Sequence, residues 1–180
     1  MPDSGAMLVI EDDPDVRRSA RLALSHVTRV ELLDSTMQLQ ETLAAGSFEA
    51  VLLDMNFVVG ERSGNAGLDA LANIRTADPT LAVVLMTAYG GVSLAVESLK
   101  RGAVDFILKP WRNDKLIAAM SAAAQITRER RDAETIQLDA LERGAIVRAL
   151  ARHNNNISLT SAALGISRAA LYRRMTKYGL

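Results

Sequence analysis

Short apolar runs alternate with longer segments of helical periodicity from the start of the chain to about residue 130. Several of these runs, such as VVLM, are apolar throughout, which is typical of strands buried on both faces of a parallel sheet. The pattern predicts five strands, at Ala6–Ile10, Arg29–Leu33, Ala50–Leu53, Ala82–Met86 and Val104–Leu108.

A helical pattern follows each predicted strand. These patterns begin near Pro14, Ser35, Gly67, Gly91 and Asn113. Five alternations of strand and helix indicate a parallel sheet that is covered by helices on both faces. We therefore predict an α/β fold with a doubly wound, five-stranded parallel sheet.

A second, all-helical pattern begins at Asp139 and contains no predicted strand. It is interrupted by the polar break HNNN and by Gly165, so we predict a small all-α domain. Residues 126–138 are rich in charge and lack glycine and proline, which favours a semi-rigid helical linker. The predicted organisation is one domain over residues 1–125, the linker over 126–138 and the small domain over 139–180.

Charge is distributed unevenly between the two parts of the chain. Lysine and arginine together number 21, as do aspartate and glutamate, so the formal net charge of the whole chain is zero. Residues 1–125 hold 11 bases and 16 acids, whereas residues 126–180 hold 10 bases and 5 acids, and no acid follows Glu142. This asymmetry suggests two modules with different partners, and nucleic acid is a candidate partner of the basic one.

Cysteine is absent from the sequence, which excludes disulfide bonds, thiolate zinc sites and cysteine nucleophiles. The first residues lack the basic start and the apolar stretch of a secretory signal. No apolar run approaches the roughly 18 residues of a membrane helix. We therefore expect a cytoplasmic protein that has no membrane partner.

Polar residues stand at the carboxyl ends of four predicted strands, which converge in a crevice in a doubly wound sheet. Carboxylates about 4 Å apart repel each other by about 4 kcal/mol at an effective dielectric of about 20, so such a cluster requires a cation. The small, oxygen-rich donor set suits Mg²⁺. The residues are Glu11, Asp12 and Asp13 after the first strand, Asp54 after the third, Thr87 after the fourth and Lys109 after the fifth.

This cluster predicts phosphoryl transfer. The carboxylate of Asp54 can attack a phosphoryl group whose charge is held by the metal ion, by Lys109 and by the Thr87 hydroxyl. Each residue taken alone has a structural explanation, because an aspartate before Pro14 commonly caps a helix and a Lys-Pro pair commonly forms a turn. Their joint occurrence on successive strand ends favours the functional site.

Residues 1–125 resemble the receiver domains of two-component response regulators. The segments VIEDDPDVRR, VLLDM, VVLMTAYG and DFILKPW match the motifs of that family in order. The resemblance implies a flavodoxin-like fold, Mg²⁺ as the cofactor and a sensor histidine kinase as the phosphoryl donor.

The resemblance also implies a role for each residue of the cluster. Asp54 matches the phosphoacceptor, and Lys109 matches the lysine that pairs with the phosphoryl group. Thr87 matches the switch hydroxyl, and Phe106 matches the aromatic residue whose rotamer follows it. Asp13 is not expected to be a primary ligand, and the implied metal ligands are Glu11, Asp12, Asp54 and the carbonyl of Met55.

Two features depart from the family pattern. Glu11 stands where the family most often has aspartate, and this longer carboxylate could act through a water molecule. The stretch NFVVGERSGNAG after Asp54 is longer than usual and lacks the customary proline. Asn56 and Tyr89 flank the phosphoacceptor and are candidates for setting the lifetime of the phosphoryl group.

The segment from Asn156 to Tyr178 predicts two helices joined by a tight turn. Ser158 and Ser167 are suitable helix caps, and Gly165 suits the turn. Such a second helix can enter a DNA major groove, with Arg168 as the best candidate for a guanine contact, although a solvated face of a helical bundle is the alternative. An apolar stripe leaves these side chains of the second helix free to bind DNA: Arg168, Tyr172, Arg173, Arg174 and Lys177.

Residues 139–180 resemble the Fis-type helix-turn-helix that ends the nitrogen-regulation enhancer-binding regulators. The match runs through NIS and ALGISRAALYRRMTKYGL, with Thr160 and Ser161 in place of the usual alanines. The resemblance implies phosphate contacts from Asn156 and Ser158. It implies a second set of residues near the groove, namely Ser167, Arg168, Tyr172 and Arg173.

Those larger regulators carry a central ATPase, but no G-x-x-x-x-G-K-[ST] loop occurs in this sequence. The layout resembles the short redox and photosynthesis regulators, in which a receiver is joined directly to a Fis-type module. We expect a DNA-binding transcription regulator that acts as a homodimer and is switched at Asp54, and not an enzyme beyond self-phosphotransfer and self-dephosphorylation. The alternative is a phosphorelay or antagonist protein that acts by protein contact, with the C-terminal module used for dimerisation.

Overall fold

The structure is a computed structural model that describes residues 5–55, 65–88 and 92–180. Its internal contacts divide the chain into two compact units, Met1–Arg130 and Arg131–Leu180. The first unit contains a β-sheet with helices around it, and the described secondary structure of the second unit consists of helices.

The first unit is built on five parallel strands: β1 (Ala6–Ile10), β2 (Val30–Leu33), β3 (Phe48–Asp54), β4 (Ala82–Thr87) and β5 (Asp105–Leu108). They form one sheet in the order β2-β1-β3-β4-β5. The strand order reverses between β1 and β3, which is the doubly wound arrangement of a flavodoxin-like fold. The predicted fold class is confirmed.

Seven helices lie in the described part of the chain. Residues 126–138, the predicted helical linker, lie inside the fifth helix, and that helix contributes residues to both units. Among the described residues, no helix is both long and apolar enough to span a bilayer. The helices are α1 (Pro14–Leu24), α2 (Leu39–Ala45), α3 (Asn65–Ala77), α4 (Val92–Lys100), α5 (Asn113–Arg152), α6 (Ile157–Ala163) and α7 (Arg168–Tyr178).

Alternate residues of the strands enter two apolar cores on opposite faces of the sheet. Leu8 and Ile10 of β1 lie in the core that α2 and α3 cover. Met7 and Val9 lie in the core that α1 and α5 cover. Full burial of such side chains contributes about 2 kcal/mol each, so the two cores hold the strands firmly. The carboxyl edge of the sheet is therefore a rigid platform for the loops that follow the strands.

Helix α1 begins at the carboxyl edge because its first turn is capped. The Asp13 carboxylate accepts hydrogen bonds from the backbone N–H groups of Asp15 and Val16, at 2.8 and 3.1 Å. Pro14 occupies the first helical position, where its missing N–H group costs nothing. These N–H groups lower the pKa of Asp13, so its carboxylate stays charged in its role as helix cap.

In the second unit, α6 and α7 pack on the last part of α5. Ile146, Leu150 and Leu171 are buried together between these helices. The turn between α6 and α7 contains Gly165 at φ +66°, a left-handed conformation that glycine adopts without strain. Ser167 caps α7, because its hydroxyl accepts a hydrogen bond from the N–H group of Ala170 at 3.2 Å.

Two local expectations from the sequence are wrong. Helix α6 is capped by Asn156, whose side-chain oxygen accepts a hydrogen bond from the N–H group of Leu159 at 3.1 Å, and not by Ser158, which lies inside the helix. Helix α2 begins at Leu39 and not near Ser35. Both Asn156 and Ser158 are good capping residues, so composition alone did not distinguish them.

Two buried threonines have opposite hydrogen-bonding environments. Thr127 of α5 is fully buried, and its hydroxyl accepts a hydrogen bond from the Ala82 N–H group at 2.9 Å and donates to the Ala123 carbonyl at 3.2 Å. Thr160 of α6 is also fully buried, but its hydroxyl has no hydrogen-bond partner in the described structure. An unsatisfied buried hydroxyl is destabilising.

The same substitution should therefore have opposite effects at the two positions. We expect Thr127→Val to destabilise the first unit by about 1–3 kcal/mol, because it leaves the Ala82 N–H group buried without a partner. We expect Thr160→Val to stabilise the second unit by about 1 kcal/mol, because it removes only an unsatisfied group. Urea unfolding with hydrogen exchange for each unit measures both changes, and changes of the same sign would contradict this account.

Candidate functional site

Four predicted site residues lie at the carboxyl edge of the sheet. Glu11 follows β1, Asp54 ends β3, Thr87 ends β4 and Lys109 follows β5. The side chains of Glu11, Asp54 and Thr87 are buried. The strand order makes β1, β3 and β4 neighbours, and the Lys109 N–H group donates to the Thr87 carbonyl at 2.9 Å. Parallel pairing thus brings residues that are far apart in sequence to one edge.

The Lys109 ammonium group joins two of the carboxylates. Its Nζ atom lies 2.6 Å from Glu11 Oε2 and 2.8 Å from Asp54 Oδ1. The side chain of Lys109 is 15% exposed, whereas those of Glu11 and Asp54 are 1% and 3% exposed. Buried charges are tolerated only when they are paired. Lys109 therefore keeps two carboxylates close together away from bulk water.

Burial changes the acidity of this group of residues. Burial, together with the nearby Asp54 charge, raises the pKa of Glu11 to about 7, although the hydrogen bond from Lys109 opposes the change. Burial alone would lower the pKa of Lys109, but its hydrogen bonds to Asp54 and Glu11 outweigh burial and raise it. Lys109 therefore remains an ammonium ion at neutral pH, while Glu11 lies near the midpoint of its titration.

The carboxylates also fit a metal ion. Glu11, Asp12 and Asp54 each offer one oxygen, and these three oxygens lie within 4.8 Å of one another. Such a set of hard oxygen donors suits a small divalent cation like Mg²⁺, which keeps part of its water shell. Lys109 supplies only one positive charge for the carboxylates that it contacts, so a second cation is electrostatically favourable. Met55 directly follows Asp54, where its carbonyl was predicted as a further ligand.

Arg17 is a site residue that the sequence analysis missed. Its Nη1 atom donates to the backbone carbonyls of Glu11 and Asp12, at 2.5 and 3.1 Å. The side chain therefore fixes the loop that presents both acidic residues. The available signal was its spacing, because a residue four positions after the Asp13 cap faces back along the first turn of α1.

A cavity of about 830 Å³ opens beside the carboxylates. Its lining residues include Asp54 and Lys109 of the cluster together with Val16, Ser19 and Trp111. Trp111 is half-buried and packs against the core beneath α1 and α5. The acidic cluster is therefore reachable from outside through a partly apolar opening.

The two predicted switch residues differ in exposure. Thr87 is buried at 4% exposure at the end of β4, whereas the Phe106 side chain on the edge strand β5 is 37% exposed. Their roles as switch residues stay predictions. Asn56 and Tyr89, which were predicted to flank the phosphoacceptor, lie outside the described residues.

The second unit brings part of the predicted DNA-binding set together. A hollow of about 560 Å³ is lined by Ser158 of α6 and by Ser167, Arg168 and Tyr172 at the start of α7. Tyr172 is 56% exposed, and Arg173 is exposed beside it. Asn156 is exposed at the start of α6, where its side chain serves as the cap. These contacts with DNA stay predictions.

Arg174 and Lys177 are not free, in contrast to the expectation from the sequence. Arg174 Nε lies 2.5 Å from Glu142 Oε1, and Lys177 Nζ lies 2.7 Å from Asp139 Oδ1. Both acids belong to α5. Periodicity identifies the exposed face of α7, but it does not show which neighbouring helix supplies acids to that face.

The sheet is flavodoxin-like, and its carboxyl edge holds a carboxylate cluster bridged by a lysine. This combination defines a receiver-type protein, and comparison with family models gives the same class. Residues 7–121 match the model of the response regulator receiver domain. Residues 137–178 match the model of the Fis family of bacterial regulatory proteins. The chain belongs to the response regulators, with a Fis-type helix-turn-helix after the receiver domain.

Curated relatives include transcriptional regulatory proteins. The chain is 30% identical over 146 residues to FixJ of Bradyrhizobium diazoefficiens, a match that covers 81% of this chain and 69% of FixJ. It is 33% identical over 133 residues to ZraR of Klebsiella oxytoca, which covers 68% of this chain and 27% of ZraR. The chain thus matches little more than a quarter of ZraR.

A solved structure is similar over nearly the whole chain. It is a response regulator protein from Burkholderia pseudomallei with a phosphorylated aspartic acid, a calcium ion and citrate. The sequence identity is 26%, the TM-score is 0.57, and the match covers 94% of this chain and 97% of that one.

The raised pKa of Glu11 predicts a distinct pH dependence of stability. A carboxyl whose folded-state pKa is raised to about 7 from an ordinary 4.5 favours folding in its neutral form. That contribution is fully present below about pH 4.5 and is lost as the pH rises through about 7, at about 1.4 kcal/mol for each unit of pKa difference. In a metal chelator, we expect the first unit to lose stability between about pH 5 and about pH 8.

Glu11→Gln removes the titrating group and should flatten this dependence. Urea unfolding followed by the fluorescence of Trp111, the single tryptophan of the chain, measures it. Asp69→Asn is a matched control on the exposed side of α3 and should leave the pH dependence unchanged. An equally steep dependence in Glu11→Gln would show that another group causes it.

Proposed function

We propose that Asp54 accepts a phosphoryl group from a sensor histidine kinase and that this reaction controls DNA binding by the second unit. The observation that carries the proposal is the Lys109 ammonium group bridging Glu11 and Asp54 in a buried carboxylate cluster. An ammonium group beside a nucleophilic carboxylate is suited to hold the charge of a transferring phosphoryl group. The phosphorylated aspartate of the Burkholderia pseudomallei relative supports this assignment.

In the proposed reaction, one carboxylate oxygen of Asp54 attacks the phosphorus atom of a phosphohistidine. The new phosphorus–oxygen bond forms as the phosphorus–nitrogen bond of the donor breaks, and the imidazole leaves with the electron pair. Lys109 then exchanges its contact with Asp54 for a contact with the phosphoryl oxygens. Slow attack by water on the phosphorus atom breaks its bond to Asp54, releases inorganic phosphate and returns the free carboxylate, so the expected chemistry is confined to self-phosphotransfer and self-dephosphorylation.

The carboxylates of Glu11, Asp12 and Asp54 and the carbonyl of Met55 would hold Mg²⁺. When bound, Mg²⁺ supplies positive charge that offsets the negative charge of the transferring phosphoryl group. Arg17 holds the backbone of Glu11 and Asp12 in place for this purpose through its two hydrogen bonds.

The switch would act through the face formed by α4, β5 and α5. Thr87 would turn toward the phosphoryl group, and Phe106 would follow it. Apolar side chains are already exposed on this face, with Val96 and Leu99 on α4 each 43% exposed and Leu108 on β5 50% exposed. Exposed apolar groups favour association, so we propose that phosphorylation promotes a homodimer through this face.

DNA binding would use the start of α7. Arg168 and Tyr172 line one hollow with Ser158 and Ser167, and a two-fold dimer would present two such helices to successive major grooves. ZraR and FixJ are named as transcriptional regulatory proteins, which supports the same role here.

One observation favours the alternative of protein contact. Ile136, Leu138 and Leu141 of α5 are 70%, 63% and 62% exposed in the second unit. Apolar groups at such exposure suit a protein partner better than DNA. A protein that acts only by contact through these residues would not bind duplex DNA in a salt-dependent way.

Phosphorylation is tested by intact mass. With Mg²⁺ and a small-molecule phosphodonor, we expect the wild-type chain to gain one phosphoryl group and Asp54→Asn to gain none. Asp69→Asn, the same chemical change on the exposed side of α3, should be phosphorylated like the wild type. A phosphoryl group on Asp54→Asn would refute Asp54 as the acceptor.

DNA contact is tested by salt dependence. Each phosphate contact contributes about −0.9 to the slope of log K against log salt concentration. We expect Arg173→Gln to make this slope shallower by about 0.9 on a duplex that the wild-type chain selects from a random pool. Arg18→Gln, which removes an exposed arginine from α1, should leave the slope unchanged. Salt-independent binding of the wild type would instead favour the alternative.

A further inference from the structure

The basic residues of α7 fall into two groups. Arg168 and Arg173 are exposed, and no ion pair of either residue occurs in the described structure. Arg174 and Lys177 instead form ion pairs with Glu142 and Asp139 of α5. Helix α7 therefore carries two basic residues without an ion pair and two basic residues whose charge is paired with an acid of α5.

A tyrosine hydroxyl connects the two ion pairs. Tyr178 at the end of α7 donates its hydroxyl toward Glu142 Oε2 and lies 3.1 Å from Asp139 Oδ1. Its ring lies 4.8 Å from Lys177 Nζ, within reach of a cation–π contact. We name these residues the α5–α7 network: Asp139, Glu142, Arg174, Lys177 and Tyr178.

The charges of the α5–α7 network agree with this geometry. The hydrogen bonds from Tyr178 and Arg174 lower the pKa of Glu142, and the hydrogen bond from Lys177 lowers the pKa of Asp139. Both carboxylates therefore stay ionised at neutral pH. They are also the last two acids in the sequence, so they stand next to the most basic part of the chain.

An arginine or lysine side chain that already forms an ion pair gains little free energy by exchanging its carboxylate partner for a DNA phosphate. Salt-dependent affinity comes from cations on the protein that replace counterions on DNA phosphates. If Arg174 left Glu142 for a phosphate, the Glu142 carboxylate would lie near the DNA backbone without its partner and would repel it. The same holds for Lys177 and Asp139.

We propose that Arg174 and Lys177 are positioning residues, which hold α7 against α5, and that they do not contact DNA phosphates. The phosphate contact of α7 then comes from Arg173, and Arg168 keeps its predicted guanine contact. This inference rests on the proposed DNA binding, and it replaces the expectation that all the basic residues of α7 face DNA. A single exposed ion pair contributes little, but two pairs joined by one hydroxyl fix the orientation of a short helix.

The first test separates positioning from contact by the salt slope. In the 180-residue chain, we expect Arg174→Gln and Tyr178→Phe each to weaken binding to the selected duplex by roughly threefold to tenfold, with the salt slope of the wild type. Arg173→Gln is the matched control, and its slope should become shallower by about 0.9. A loss of about 0.9 in the slope of Arg174→Gln would overturn the proposal.

A charge exchange tests the same claim independently. Arg174→Glu and Glu142→Arg should each weaken binding, because like charges then face each other between α7 and α5. The double variant restores an ion pair and should bind within about threefold of the wild type, which is the non-additivity expected of directly interacting residues. If Arg174 contacted a phosphate, the double variant would remain as weak as Arg174→Glu alone.

Folding and DNA binding are measured separately. Circular dichroism shows whether each variant retains its helices. Hydrogen exchange of the α7 backbone amides, measured in the absence of DNA, reports how stably α7 packs against α5. If the wild type binds no duplex at all, the proposed function fails. Even then, the positioning role would be supported if Arg174→Glu and Glu142→Arg each lost the protection of the α7 amides and the double variant regained it. If the double variant did not regain this protection, the proposal would be overturned.

Discussion

Like charges held close together at one edge of a parallel sheet are the constraint on which this structure depends. Parallel strands bring Glu11 and Asp54 to the same edge, and their repulsion in a buried setting would be severe without a cation between them. Lys109 provides that cation with ion pairs of 2.6 and 2.8 Å, and Arg17 holds the adjoining loop through hydrogen bonds to two backbone carbonyls. The resting site is thus kept together by charges that phosphorylation would rearrange.

The second unit uses charge pairing for a different purpose. At the sheet edge, one lysine is shared between two buried carboxylates, so the loss of one contact affects the other. In the second unit, acids of α5 each pair with a separate base of α7 near the surface. The first arrangement can respond to added negative charge, whereas the second holds α7 against α5 and leaves Arg168 and Arg173 available for the proposed contacts with DNA.

The fold and the acidic cluster could be predicted because their signals are local. Apolar runs mark the strands, and a polar residue such as Asp54 or Lys109 ends each run at the edge where parallel strands converge. The cap of α6 and the ion-pair partners of α7 could not be predicted, because two nearby residues both suited the cap and periodicity does not identify partners on another helix. Asn156 rather than Ser158 caps α6, and the pairing of Arg174 with Glu142 joins positions that are far apart in sequence.

The central claim is that phosphorylation of Asp54 changes DNA binding by the second unit, and footprinting tests this claim most directly. Genomic DNA is incubated with the wild-type 180-residue chain or with Asp54→Ala, each with and without Mg²⁺ and a phosphodonor, and the protected sites are mapped. The account predicts that the phosphodonor changes occupancy for the wild type and leaves Asp54→Ala unaffected. Identical occupancy under all conditions, or an equal response from Asp54→Ala, would contradict it.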